Sequence, residues 1–229
     1  MRIHADFSQP IIITPNAHQW VKSPGGEVKR MMLDRIGTEQ ARATSLVEFA
    51  ANAAFPAHTH PLGEEVLVLS GVLTENEQHN YPTGWYMRNP HQSAHRVSSM
   101  QGCRIFVKLR QMHVTEQQSI RINTHDMQNW TMIHSRSICP LFESSDEKTF
   151  LEKLAPQQIF MESAEYGIEI LIIEGALHTT SQVYPTGTWL RLPQGYCLAA
   201  RATALGATVY VKTGHLQHAI ALWGNETAE

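Results

Sequence analysis

The chain has 229 residues, 42% hydrophobic and 17% charged, with a net charge of −3 and a pI near 6.5. These values exclude wholesale disorder and a basic field for nucleic acid, and no run of like charges forms an interaction tail. The opening MRIHADFSQPIIITPN has no long apolar stretch. It predicts neither a signal peptide nor a membrane span, and a cytoplasmic location is expected.

Along the chain, short apolar or β-branched segments such as Ala43 to Phe49 and Glu65 to Leu69 alternate with turn clusters. The turns are SPGGE at 23–27, YPTG at 81–84 and NPHQS at 89–93. This spacing predicts an all-β sandwich or barrel. Weak helical periodicity is confined to Glu147 to Leu154. Cys103, Cys139 and Cys197 are odd in number and far apart. They predict idle thiols rather than a disulfide framework or a thiolate zinc site.

The chain also repeats itself. GEEVLVLSGV at 63–72 is answered by GIEILIIEGA at 167–176, and YPTGWYMR at 81–88 by YPTGTWLR at 184–191. Ile105-Phe106-Val107-Lys108 is answered by Val209-Tyr210-Val211-Lys212, and Trp20 by Trp130. Matches in one order predict a duplication. The expected division is residues 1–114 and 115–229, with its boundary in HVTEQQS. Each half has the size of one small jelly roll.

Chemistry concentrates in Phe55-Pro-Ala-His58-Thr-His60-Pro-Leu-Gly-Glu64. On a strand, residues i and i+2 share a face, so His58 and His60 project together. Pro61 to Gly63 reads as a turn that sets Glu64 beside them. His95, in NPHQSAH, is a fourth candidate that only folding can bring in. A lone HxH pair is more commonly hydrogen-bonded than metal-bound, and Glu64 alone would be an exposed charge. The combination carries the weight. Glu65 competes with Glu64, but its echo Glu169 in the other half assigns it a structural role. Arg88 and Arg191, kept in both halves, predict structural ion pairs. His91 reads as surface loop or pocket wall. Trp85, Tyr86 and Phe106 read as core, and Met87 and Met112 as gap-fillers.

These residues resemble the cupin superfamily. His58, His60, Glu64 and Gly71 match its first motif, G(X)5HXH(X)3–4E(X)6G, with Asn52 in place of the leading glycine. Gly84, Pro90 and His95 match its second, G(X)5PXG(X)2H(X)3N, with Gln92 for the inner glycine and Ser99 for the asparagine. Trp20, Ser23, Pro24, Gly26, FPAHTHPLGEEVLVLSG, YPTGWYMRNP and GCRIFVKL are similar to the ChrR-type cupins, over most of residues 15–112. The resemblance implies two tandem RmlC-like jelly-roll barrels. It also implies one divalent metal ion on His58, His60, Glu64 and His95, with zinc first and iron, manganese or nickel as alternatives.

Founding members of that family are zinc-dependent anti-sigma factors, which bind sigma through a separate helical module with a His-x3-Cys-x2-Cys motif. No CxxC occurs here, so a sigma-factor partner does not transfer. In the second half Glu162, Ala164, Ile168 and Leu198 stand at the ligand positions, and His178, His215 and His218 fall elsewhere. A metal-free second barrel is expected. Three functions follow: a sensory or regulatory cupin, a metal-dependent dioxygenase acting on a small diketone or phenolic ketone, and a non-catalytic ligand-binding module. A small molecule in the first barrel fits the last two. Exposed sheet edges are compatible with a homodimer, which the second half would replace if it serves as a built-in partner.

Overall fold

The computed structural model describes residues 1–23, 27–38, 40–160, 164–217 and 219. Pro24, Gly26, Glu162 and His218, singled out above, lie outside the described residues. Contacts divide the chain into two units. One comprises Met1–Ala5 with Gln19–Asp126, the other Asp6–His18 with Met127–Glu229. The polar stretch near residue 115 therefore lies inside the first unit, ahead of its strand Ile120–Asn123.

The first unit is an 11-stranded antiparallel arrangement among the described residues. Its main path runs Arg2–Ile3, Val28–Ile36, Arg42–Phe49, Cys103–Leu109, Glu64–Glu75, Ser93–Ser99 and Ala53–His60. Period-two alternation directs Val47 and Phe49, and Ile105 and Val107, into one apolar cluster with Val66, Leu73, Met87 and Val97. The opposite face of the same strands carries buried Tyr86, Phe106, Lys108 and Arg88. There Arg88 pairs with Glu65 at 3.0 Å and with Glu116, and Lys108 Nζ donates to Thr44 Oγ1 at 3.0 Å.

The second unit's path runs Thr131–Ile133, Arg136–Glu143, Lys148–Leu154, Arg201–Thr213, Ile168–His178, Trp189–Leu192 and Ile11–Ile13, and Trp189–Leu192 pairs with Ile168–His178 as Trp85–Asn89 pairs with Glu64–Glu75. The turn after the repeated glycine is written twice. Thr83 N–H donates to Gly71 O and Thr186 N–H to Gly175 O, both at 3.0 Å, while Gly84 and Gly187 N–H donate to Val68 and Ile172 O, both at 2.8 Å. Gly71 and Gly175 have φ of 75° and 68°, and a Cβ on either would lie 2.1 or 2.2 Å from a carbonyl oxygen. Only glycine fits both requirements.

The weak helical periodicity over Glu147 to Leu154 does not become a helix. Lys148–Leu154 is a strand paired on both edges, to Arg136–Glu143 and to Arg201–Thr213. A double ladder outweighs a marginal local pattern. Arg191 is buried in the second unit, opposite Glu169 in the strand ladder. Its guanidinium lies 4.3 Å from the Phe7 ring centre and donates to Asp6 O at 2.9 Å. Cys103 and Cys139 are buried free thiols that burial pushes up to about 11, while the third, Cys197, is exposed. No helix among the described residues is long and apolar enough to cross a membrane.

Candidate metal centre

Strand pairing builds the site. Ser93–Ser99 runs antiparallel to Ala53–His60, with His95 directly opposite His58 and Ser93 opposite His60. The i, i+2 pair and the cross-strand residue therefore share one face. After His60 the chain turns through Leu62 and Gly63, both with positive φ, closed by Gly63 N–H to His60 O at 3.0 Å. Glu64 then opens the next strand with its side chain against the histidines. Asn52 and Gln92, which replace motif glycines, adopt φ of 64° and 66°. The left-handed turns are kept by residues that tolerate or are held in them. Ser99 Oγ, at the asparagine position, donates to Val72 O at 2.6 Å.

His58, His60 and His95 form a group whose ligand atoms lie within 4.8 Å of one another. His60 Nε2 is 2.8 Å from His95 Nε2. Glu64 Oε2 is 3.5 Å from His60 Nε2 and 3.4 Å from His95 Nε2. Two donors each about 2.1 Å from one ion lie about 3.0 Å apart at a right angle and about 3.4 Å apart at the tetrahedral angle. The observed separations of 2.8 to 3.5 Å lie close to those edges, so the donor set suits a single divalent ion.

The supporting contacts orient the rings. His95 Nδ1 donates to Glu75 Oε1 at 2.7 Å, and His58 Nδ1 to Pro56 O at 2.8 Å. Each leaves Nε2 as the free donor toward the group. Glu75 is held in turn by Tyr81 O–H at 3.2 Å and Arg121 Nη2 at 3.1 Å. Arg121 also donates to Asn89 Oδ1 at 2.7 Å, and Asn89 Nδ2 donates to Glu64 Oε2 at 2.9 Å. One hydrogen-bonded circuit thus supports both Glu64 and His95.

Electrostatics divide the two buried histidines. Burial holds His60 below its ordinary range. Burial also opposes protonation of His95, but the Glu75 hydrogen bond and the charge of Glu64 outweigh it and push His95 up. Glu75 is held down to about 2, first by its bond with His95, against a burial effect of opposite sign, and then by Arg121.

The expected site residues therefore come together. Glu65 turns to the opposite face and pairs with Arg88, as its echo Glu169 suggested. His91 accepts the Leu62 N–H at 2.9 Å and so braces the turn. Sequence reasoning missed Glu75, Asn89, Tyr81 and Arg121. Nothing in their local pattern marks them, because they reach the site from strand ends far apart in the chain. In the second unit Ala164 and Ile168 lie in an apolar core, with Leu198 packed against it. His215 Nε2 lies 3.0 Å from Glu169.

The group lies on the wall of a cavity of about 340 Å³. Its body is apolar, with Val47, Phe49, Phe55, Val66 and Ile105 among the lining residues. An antiparallel jelly roll with histidines converging on its interior defines a cupin-type barrel. The family model of the ChrR cupin-like domain matches residues 8–113. No curated protein matches the sequence.

Solved structures share the fold at low identity. A putative dioxygenase from Nostoc punctiforme is 12% identical, with a TM-score of 0.70 over 89% of this chain and 82% of that one. A bacterial pirin from Escherichia coli in complex with nickel(II) is 11% identical, at 0.67 over 90% and 99%. A putative glyoxylate-induced protein from Pseudomonas aeruginosa is 16% identical, at 0.66 over 89% and 88%.

Proposed function

We propose that the first unit is a metal-dependent, small-molecule cupin of the oxygenase type, with His58, His60, Glu64 and His95 holding one divalent ion. The observation that carries this reading is a three-histidine group set on the wall of an apolar cavity rather than sealed in a packed core. A closed structural site would need no adjoining cavity. A redox-active ion bound there would supply a place for dioxygen and a chelating substrate to meet.

The protein's part is to hold and exclude. His58 and His95 are fixed in tautomer by Pro56 O and Glu75. Glu64 is fixed by Asn89, and the valines and phenylalanines keep bulk water from the reacting region. The fold shared with a putative dioxygenase and a nickel-bound pirin agrees with this reading. Oxygen uptake tests it. Iron- or manganese-loaded protein should consume dioxygen with small diketones or phenolic ketones, and zinc-loaded protein should not.

A second reading rests on the ChrR cupin-like match, whose founding members are regulatory. It calls for tightly held zinc, no turnover with any loaded metal, and a cytoplasmic regulatory partner. Uptake by the iron-loaded protein decides against it.

A further inference from the structure

We propose that the cavity of the first unit binds small organic carboxylates with an apolar body, through an anion subsite made by Arg30, Arg35 and Arg110. The proposal rests on the cavity being the ligand site and adds the class of molecule that enters it.

All three guanidinium residues line the cavity. Two come from one strand, Val28–Ile36, at positions five apart. A regular strand would send residues of opposite parity to opposite faces. Here the pairing register shifts between Met32 and Asp34, so that Met32 stands opposite Ser45 but Asp34 opposite Thr44. The extra residue returns Arg35 to the face of Arg30, while Asp34 turns away to pair with Arg42 at 3.2 Å. The bulge thus re-aims a cation into the cavity and turns Asp34 of the same strand toward Arg42.

The three cations have no carboxylate partner among the described residues. Arg30 lies over the Phe55 ring at 5.6 Å. Arg35 donates to Thr38 O, and Arg110 Nη1 donates to Gln40 Oε1 at 3.4 Å. Arg110 Nε is buried with no hydrogen-bond partner. Burial works against the charge on Arg30 and Arg35, and Arg30 adds repulsion at Arg35. Glu64, committed to the histidines and Asn89, is the sole acidic residue among the described residues that line the cavity. Partly buried, mutually repelling guanidiniums are costly unless an anion joins them, and planar carboxylates suit their forked donors. The aromatic and aliphatic walls then select an apolar body. At about 340 Å³ the space is near the lower end of small-ligand sites, which favours a single ring or a short chain.

The test uses full-length protein stripped of metal by chelation and, separately, reloaded. Benzoate and hexanoate are titrated against their neutral amides by calorimetry, with circular dichroism confirming the fold of each variant. At least one acid should bind metal-free protein about tenfold or more tighter than its amide. Arg30→Gln should remove that preference and leave amide binding unchanged. Arg110→Gln provides the same test should Arg30→Gln fail to fold, and Arg104→Gln, a surface change, should alter nothing.

Equal binding of acid and amide, or no binding of either acid at millimolar concentration to folded protein that still loads metal, overturns the subsite and leaves the metal reading standing. Acid binding that survives both arginine changes and vanishes with the metal also overturns it. Arginine-dependent binding in protein that cannot load metal would sustain the subsite while the metal reading fails.

Discussion

Glu75 grips His95 on the side away from the other histidines: Oε1 lies 2.7 Å from Nδ1, and Glu64 Oε2 lies 3.4 Å from Nε2 of the same ring. The two carboxylates open and close one strand, Glu64–Glu75. A single strand therefore supplies a neighbour for each ring nitrogen.

Removing that grip should weaken the metal site without dismantling it. Glu75→Gln is expected to lower metal affinity about 10- to 100-fold, read by competition with a chromogenic chelator. Arg121→Gln, which loosens Glu75 one contact further out, should produce a smaller loss in the same direction. Unchanged affinity in both would show that ring orientation is set elsewhere.

The same pair shapes the pH dependence of the metal-free protein. Glu75 is depressed from 4.5 to about 2, so its contribution is present above pH 4.5 and lost as pH falls toward 2. His95 is raised above 6.5, so its contribution is full below pH 6.5 and lost as pH rises through the raised value. Together they should support the melting temperature most between pH 4.5 and 6.5, and Glu75→Gln should flatten that profile. Metal affinity should fall as pH drops, because protons compete for the imidazoles.

Adjacent carboxylates should separate cleanly. Glu64→Gln is expected to lower metal affinity while leaving the melting of metal-free protein nearly unchanged. Glu65→Gln should leave metal content intact and cost about 1–3 kcal/mol in denaturant unfolding, because buried Arg88 would lose the carboxylate of Glu65. The opposite assignment of effects would exchange the two roles.

The architecture was more legible than its support. Hydrophobic alternation and the repeated YPTG turn sufficed for an all-β fold, and the HxH spacing for His58 beside His60. These are local patterns whose period the backbone enforces. His95 was reached only through the cupin resemblance. Arg121 was not legible, because its role depends on the strand Ile120–Asn123 pairing with Trp85–Asn89. Nor were Arg30 and Arg35 as a pair, since a bulge, invisible in the residue pattern, sets which face each one takes. The marginal helical period at Glu147 to Leu154 misled for the complementary reason: ladder partners on both sides decide that segment.

Glycine at the repeated turn gives a stability test independent of the site. A Cβ at Gly71 would lie 2.1 Å from Gly102 O at a φ of 75°. Gly71→Ala is therefore expected to cost roughly 2–4 kcal/mol in denaturant unfolding. Gly175→Ala should cost a similar amount if the two turns are energetically equivalent.

The central claim is best tested by metal analysis of untagged protein beside a His58→Ala/His60→Ala variant, both offered zinc, iron, manganese and nickel. The account predicts about one ion per chain in the parent and loss of that ion in a variant that keeps its β-sheet circular dichroism. Equal metal in both proteins, or none in the parent, would contradict it.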